Sequence, residues 1–321
     1  MSLVKLKDSG FKGGKFSSFQ SITKRRTIDV DFLVLGGGGS AGGGGVSGGA
    51  GAGGYRVSYN SETSGGGGSA EDPVKISTGV AYTVTVGAGG GLASNATSAF
   101  YALNNVNDNT AGSNSVFASI TSLAGGTTGA GTGTALGNYK DGGSGAGGGI
   151  YNTTGTATSG QGFNGGDNAT NQGGGGGGAG ELGNTDGAGH GGDGLVSGIS
   201  GSNVTRAGGG GGYVYSYSGS NYVATGGSGG GGNGRAHNNG GYGTNGSAGL
   251  GAGGGAGSSN GTNTRWRGGS GGSGRVILRF PNTFSIAVSS GLTFTQTSSG
   301  SDTIIDFSAG TGTVQFSFIE S

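Results

Sequence analysis

The sequence predicts an all-β, irregular protein: short β-strands framing a bundle of packed polyglycine-II-type helices, with little or no α-helix. Three observations lead there. Glycine supplies 91 of 321 residues, about four times its ordinary share. Short apolar runs go straight into glycine tracts, as in DFLVLGGGGSAGGGG from Asp31, TVTVGAGGG from Thr83 and VTRAGGGGG from Val204, and the pattern closes in mirror image in GGSGGSGRVILRF, 268–280. No segment carries the 3.6-residue periodicity of an ordinary helix; the best helical candidate, 99–106, is short and turns Asn-rich after Leu103.

Taken in order, residues 1–26 are polar and irregular, with seven basic side chains (Lys5, Lys7, Lys12, Lys15, Lys24, Arg25, Arg26) against Asp8. The rest of the chain has nine basic and fourteen acidic groups, so a basic arm precedes a mildly acidic body and reads as an attachment segment. Residues 27–35, TIDVDFLVL, alternate and then become continuously apolar, as in a strand buried on both faces. After the first tract, 36–54, strand character returns at 55, at 73–77 and at 81–86, where Thr83, Val84, Thr85 and Val86 follow one another. Beyond this, tracts alternate with richer insertions at 94–111, 136–141, 150–172, 213–225, 235–245 and 258–267. Residues 275–280 form a strand stopped by Pro281, and four short alternating segments (285–289, 292–297, 303–308, 313–319) end the chain as a small β-structure. The division expected is therefore 1–26, 27–281 and 282–321.

Composition excludes several classes. Two prolines and no Gly-X-Y period exclude collagen. Without cysteine there is no disulfide or thiolate site. No run approaches a membrane span, and the N-terminus lacks the apolar core of a signal peptide, so synthesis in the cytoplasm without membrane insertion is expected. No nucleic-acid partner is expected, since no folded basic face supports one.

Glycine brings no side chain to bury, so the tracts either stay flexible or pack backbone on backbone. A threefold extended helix has no internal hydrogen bonds, and each N–H must find a carbonyl on a neighbouring rod. Tracts of six to twelve residues would make rods of about 20–35 Å at about 3.1 Å per residue. Ser and Ala are then expected to face outward or sit at tract ends.

Glycine background also generates false motifs. Gly37–Gly42 fits G-x-G-x-x-G after a strand, but Gly43–Gly45 cannot open the helix that would receive a pyrophosphate. G-x-S-x-G occurs around Ser40, Ser228 and Ser270 without a following helix, and only His190 and His237 exist as partners. GHGGDGL, 189–195, hints once at repeat-type calcium binding, without an array. No catalytic residue, metal ligand or cofactor is nominated, and an enzyme is not expected. The insertions are more informative. They concentrate Phe100, Tyr101, Tyr139, Tyr151, Phe163, Tyr213, Tyr215, Tyr217, Tyr222, His237, Tyr242 and Trp266 between Arg265 and Arg267, among Ser and Asn. Tyr gives large contact area at low entropic cost while Ser and Asn add adaptable hydrogen bonds, the composition of binding loops. Packing of the same aromatics onto the scaffold is the plainer alternative.

DFLVLGGGGSAGGGG, GGYR at 53–56, AYTVTVGAGG, NSVFASITSLAGG, SGISGSNVTRAGGGGG and GGSGRVILRFP together resemble the glycine-rich domain of bacteriophage tail-fibre and tail-tip proteins, over roughly 29–281. More loosely, the chain is similar to fibre-tip adhesins of T-even-like phages, whose packed polyglycine helices carry host-recognition loops. The resemblance implies a virion protein of the phage tail, a fibre or tip adhesin. It would bind a bacterial surface glycan or outer-membrane protein through the loops and meet other phage tail proteins through its N-terminal segment, with a homotrimer as one candidate assembly. A purely structural shaft or adaptor is the first alternative. A polyglycine ice- or surface-binding protein is the second, disfavoured because the tracts keep no three-residue side-chain phase; a depolymerase is the third, lacking a carboxylate cluster.

Overall fold

The computed structural model describes residues 25–44, 46–92, 109–129, 137–149, 153–215, 223–237, 240–259 and 266–320. The helical candidate at 99–106 lies outside them. Strand β1 (Thr27–Leu35) pairs antiparallel with β9 (Arg275–Pro281), Leu35 opposite Arg275, so the first and last tracts start from neighbouring strands. The apolar run of β1 is used on both sides. Ile28, Val30, Phe32 and Val34 enter one core with Val276, Leu278, Phe280, Phe307 and Phe316, while Leu33 and Leu35 enter a second with Ile277, Tyr55, Val57 and Ile199.

Around this pair the chain adds β2 (Tyr55–Val57), β3 (Val74–Ser77), β4 (Ala81–Thr85), β5 (Ser115–Phe117) and β6 (Ile120–Ser122), then β10 (Phe284–Val288), β11 (Leu292–Ser299) and β12 (Asp302–Phe318). The result is one nearly closed, barrel-like sheet in the order β2-β1-β9-β12-β4-β5-β6, with β3, β10 and β11 as side partners. Two of the expected C-terminal strands are a single seventeen-residue β12. Its first part lies between β9 and β11 and its second between β4 and β10, with Gly310 at φ +98° where the partners change. Ion pairs Arg275–Asp306 and Arg279–Asp302 cross the β9–β12 seam. A separate hairpin, β7 (Leu195–Ser197) with β8 (Val204–Arg206), packs Leu195 and Ile199 onto the second core. Helical content among the described residues is limited to 3-10 turns at Tyr59–Ser61 and Gly137–Lys140.

The glycine tracts bond to one another mainly through backbone. Along 48–54 the N–H groups of Gly49, Ala50 and Gly51 donate to Gly174, Gly254 and Gly126. The next three residues repeat the order, with Ala52, Gly53 and Gly54 donating to Gly177, Gly251 and Leu123. Every third residue thus returns to the same neighbour. Tract 173–180 behaves alike: Gly173, Gly176 and Ala179 donate to Tyr213, Gly210 and Ala207. Partners run both antiparallel (Gly36 and Gly39 to Gly54 and Gly51) and parallel (Gly208 and Gly211 to Gly229 and Gly232).

Some Ser and Ala of the tracts are exposed, as at Ser228, Ser247 and Ala248, but many do not face outward. Ser40, Ala50, Ala52, Ser144, Ala146, Ala252 and Ala256 are fully buried. Ala52 belongs to the second core beside Leu33 and Tyr55, so a methyl is accepted where a tract meets strand side chains or a gap between tracts.

Candidate functional site

The tracts run up and down between two unlike ends. At one end they meet the sheet: Leu35 precedes the first tract, Tyr55 follows the second, and hairpins β5–β6 and β7–β8 join later ones. The turns at 228–230 and 247–250 lie here too, with Gly208 donating to Gly229 and Ala207 to Leu250. At the other end the residues flanking the insertions gather around 40–48. Ser40 Oγ donates to Thr110 O, and Asn109 Nδ2 to Ala41 O and Thr128 O. Thr128 Oγ1 donates to Gly48 O, Tyr213 N–H to Ser47 O, Gly257 N–H to Gly42 O and Gly44 N–H to Trp266 O.

This far end assembles five of the twelve ring-bearing residues singled out from sequence. Tyr213 is buried with Val46 and Ala256, and its hydroxyl lies 2.9 Å from Nδ1 of His237. Tyr215 stacks on the same imidazole at 4.0 Å between centroids. Beside them Trp266 lies against Gly240, where a Cβ would meet the indole ring at 3.0 Å. Tyr242 is 55% exposed, with the Arg267 guanidinium 5.2 Å from its ring centroid. Tyr139 is exposed on the Gly137–Lys140 turn, where its carbonyl accepts from Thr127 N–H, apart from this group. Phe163 is in a tract, not a loop: its N–H donates to Gly178 O and its carbonyl accepts from Gly145 N–H, so it lies nearer the sheet. Phe100, Tyr101, Tyr151, Tyr217, Tyr222 and Arg265 lie outside the described residues, as do Lys5, Lys7, Lys12, Lys15 and Lys24. Arg25 is exposed, and Arg26 sits on the sheet end, its N–H on Thr78 Oγ1 and its guanidinium 3.5 Å from the Phe318 ring centroid. Arg26 and the aromatic cluster therefore lie at opposite ends.

Two groups escaped the sequence reading. Arg235 donates from Nε to Tyr242 O at 3.0 Å; it stands in an insertion with no aromatic neighbour in sequence to flag it. Glu181, Asp186 and Asp193 bring carboxylate oxygens within 4.8 Å of one another, a geometry that could hold a cation. Two of them already cap backbone, Glu181 Oε2 accepting from Asp193 N–H and Asp193 Oδ1 from Ser228 N–H. Asp193 was visible in the GHGGDGL segment; Glu181 and Asp186 lie just before it and carry no such signature.

Burial pushes the His237 imidazole below its ordinary range, and a hydrogen bond with the Ser259 backbone only partly offsets this. A depressed folded value means the unfolded chain takes the proton first, so stability is full above about pH 6.5 and declines as pH falls below it. The melting temperature is expected to drop between about pH 7.5 and about pH 5, with part of that drop absent in His237→Gln. An identical pH profile for the variant would refute this.

No curated protein and no solved structure matches the chain. The glycine-rich domain profile does, over residues 15–281, a stretch holding the glycine tracts and strands β1–β9, and on that span the chain belongs to the glycine-rich domain family.

Proposed function

We propose that this protein is a tail-fibre or tail-tip adhesin of a phage virion, binding a bacterial surface glycan or outer-membrane protein through its far end. The observation that supports this is segregation: the sheet and Arg26, the last basic residue of the N-terminal segment, sit at one end, and the flanks of the aromatic-rich insertions sit at the other. In this reading the tracts are threefold polyglycine-II-type rods, for which the three-residue hydrogen-bond period is the support. The basic arm docks to other tail proteins. Adhesion requires no chemistry, only contacts whose modest affinities sum over several copies.

Purified protein added to a panel of bacterial strains is expected to bind some of them and to block phage adsorption to the same strains. Exchange of residues 216–222, within the 213–225 insertion, for another segment of equal length should change which strains are bound, while the melting temperature stays the same because Tyr213, Val214 and Ala224 are kept. No binding to any strain, with the protein located inside the tail shaft, would remove the adhesin reading. An exchange that disrupted virion assembly but left strain range unchanged would favour the structural shaft or adaptor.

A further inference from the structure

Residues 194–301 contain six arginines and His237 but no Asp or Glu. Among the six, Arg206 is buried beneath the sheet, and Arg275 and Arg279 pair with Asp306 and Asp302. Arg265 lies outside the described residues. Arg235 and Arg267 are left, and both converge on Tyr242. Nε of Arg235 donates to the Tyr242 carbonyl, Arg267 accepts at its own carbonyl from Gly243 N–H, and the Arg267 guanidinium lies across the Tyr242 ring. Among the described residues no carboxylate comes within 4.0 Å of either guanidinium. Each guanidinium has five N–H donors in a planar fork; one of Arg235's is used on Tyr242, and most of the rest have no acceptor among the described residues.

Two arginines without a carboxylate partner among the described residues, one on the Tyr242 carbonyl and one on its exposed ring, are poorly explained by packing. The same exposed surface would be served by Ser or Asn. A bound anion supplies what the site lacks. Guanidinium forks match carboxylate and phosphate oxygens two at a time, and a ring exposed beside them offers its face to the C–H side of a sugar. Arg235 holds the Tyr242 main chain and Arg267 lies against its ring, so the residue is held before a ligand arrives, which lowers the ordering cost of binding.

We propose that Arg235, Arg267 and Tyr242 form a subsite for an acidic sugar unit, its carboxylate or phosphate on the two guanidinium groups and its ring on Tyr242. This rests on the adhesin reading and gives that end its ligand class. Trp266 and Gly240 set the height of the turn that carries Tyr242, and are positioning residues.

Titration calorimetry on the full chain tests it with three probes of equal length: trigalacturonate, a phosphorylated maltotriose and maltotriose. Trigalacturonate or the phosphorylated sugar is expected to bind, and whichever is tighter names the anion. Maltotriose should be at least about ten-fold weaker, and affinity should fall with added salt. Arg235→Gln and Arg267→Gln should each cost about ten-fold or more for the acidic sugar, and Tyr242→Leu should weaken it as well. Arg267 is exposed, so its variant should keep the parent melting temperature. Equal affinity for maltotriose, unchanged binding in both arginine variants, or displacement by a short oligothymidylate at matched charge would overturn the subsite. The strain-binding assay run in parallel separates the two readings. Strain binding that persists with no acidic-sugar binding removes the subsite and leaves the adhesin, whereas acidic-sugar binding without strain binding does the reverse.

Discussion

Gly176→Ala is expected to unravel the centre of the bundle. The N–H of Gly176 donates to Gly210 and its carbonyl accepts from Gly192, so tracts hold it on two sides. A Cβ built on it would point at the Ala50 carbonyl from well inside 3.0 Å, a separation that real Cβ atoms essentially never show. The obstacle is backbone, which cannot rotate aside as a side chain does. Overpacking a core costs about 1–3 kcal/mol and occasionally more, and here the upper end or beyond applies. Against a total stability of about 5–15 kcal/mol, the expected fall in melting temperature is roughly 10 °C or more. Amide exchange should accelerate at Gly49, Ala50, Gly51 and Gly210, the residues whose bonds frame the site. Gly241→Ala is the control, because its nearest neighbour would be the Arg235 side chain at 3.7 Å and the change should be nearly silent. If both variants melt alike, close backbone packing is not what holds the tracts.

Phe316→Ala is expected to cost about 3–5 kcal/mol, the range for removing a large buried aromatic. Phe316 is fully buried and meets Phe280 edge to face, with centroids 5.1 Å apart. Its strand is the hub of the barrel-like sheet, since β12 pairs with β4, β9, β10 and β11. Loss of packing at that point loosens the C-terminal strands and the first core together. Denaturant unfolding followed by tryptophan emission and circular dichroism would measure it. A cost below about 1 kcal/mol would show that β10–β12 contribute little to the stability of the sheet.

The strands were legible where side chains announce burial. Strand β1 has the bounds its pattern predicts, because nine consecutive residues without glycine carry a clear code. The four three-residue strands β5–β8 are shorter than any periodicity can resolve. Residues 309–312 carry turn chemistry, Ala-Gly-Thr-Gly, yet β12 passes through them, because glycine serves equally for a chain reversal and for a strand that bends as its partners change. The candidate site was legible as a list of aromatic residues but not as a place. Which insertions share an end depends on the three-residue bonding phase of the tracts, and a run of glycines has no side chains in which to write a phase. Arg235 could have been found from the missing carboxylates across 194–301, a signal spread over a hundred residues and carried by an absence.

The backbone bonding of the tracts also divides the molecule by its tolerance of change. Any substitution of a tract glycine adds at least a methyl, and at most tract positions that methyl collides with a neighbouring main chain. At the far end, lengthening a connection costs little, about 0.6 kcal/mol for each doubling of a flexible loop. Random change is thus filtered out of the shaft-like interior and retained at the tip. Such a protein can drift in what it touches while its frame stays fixed, because frame and contact surface are made from different atoms of the same chain.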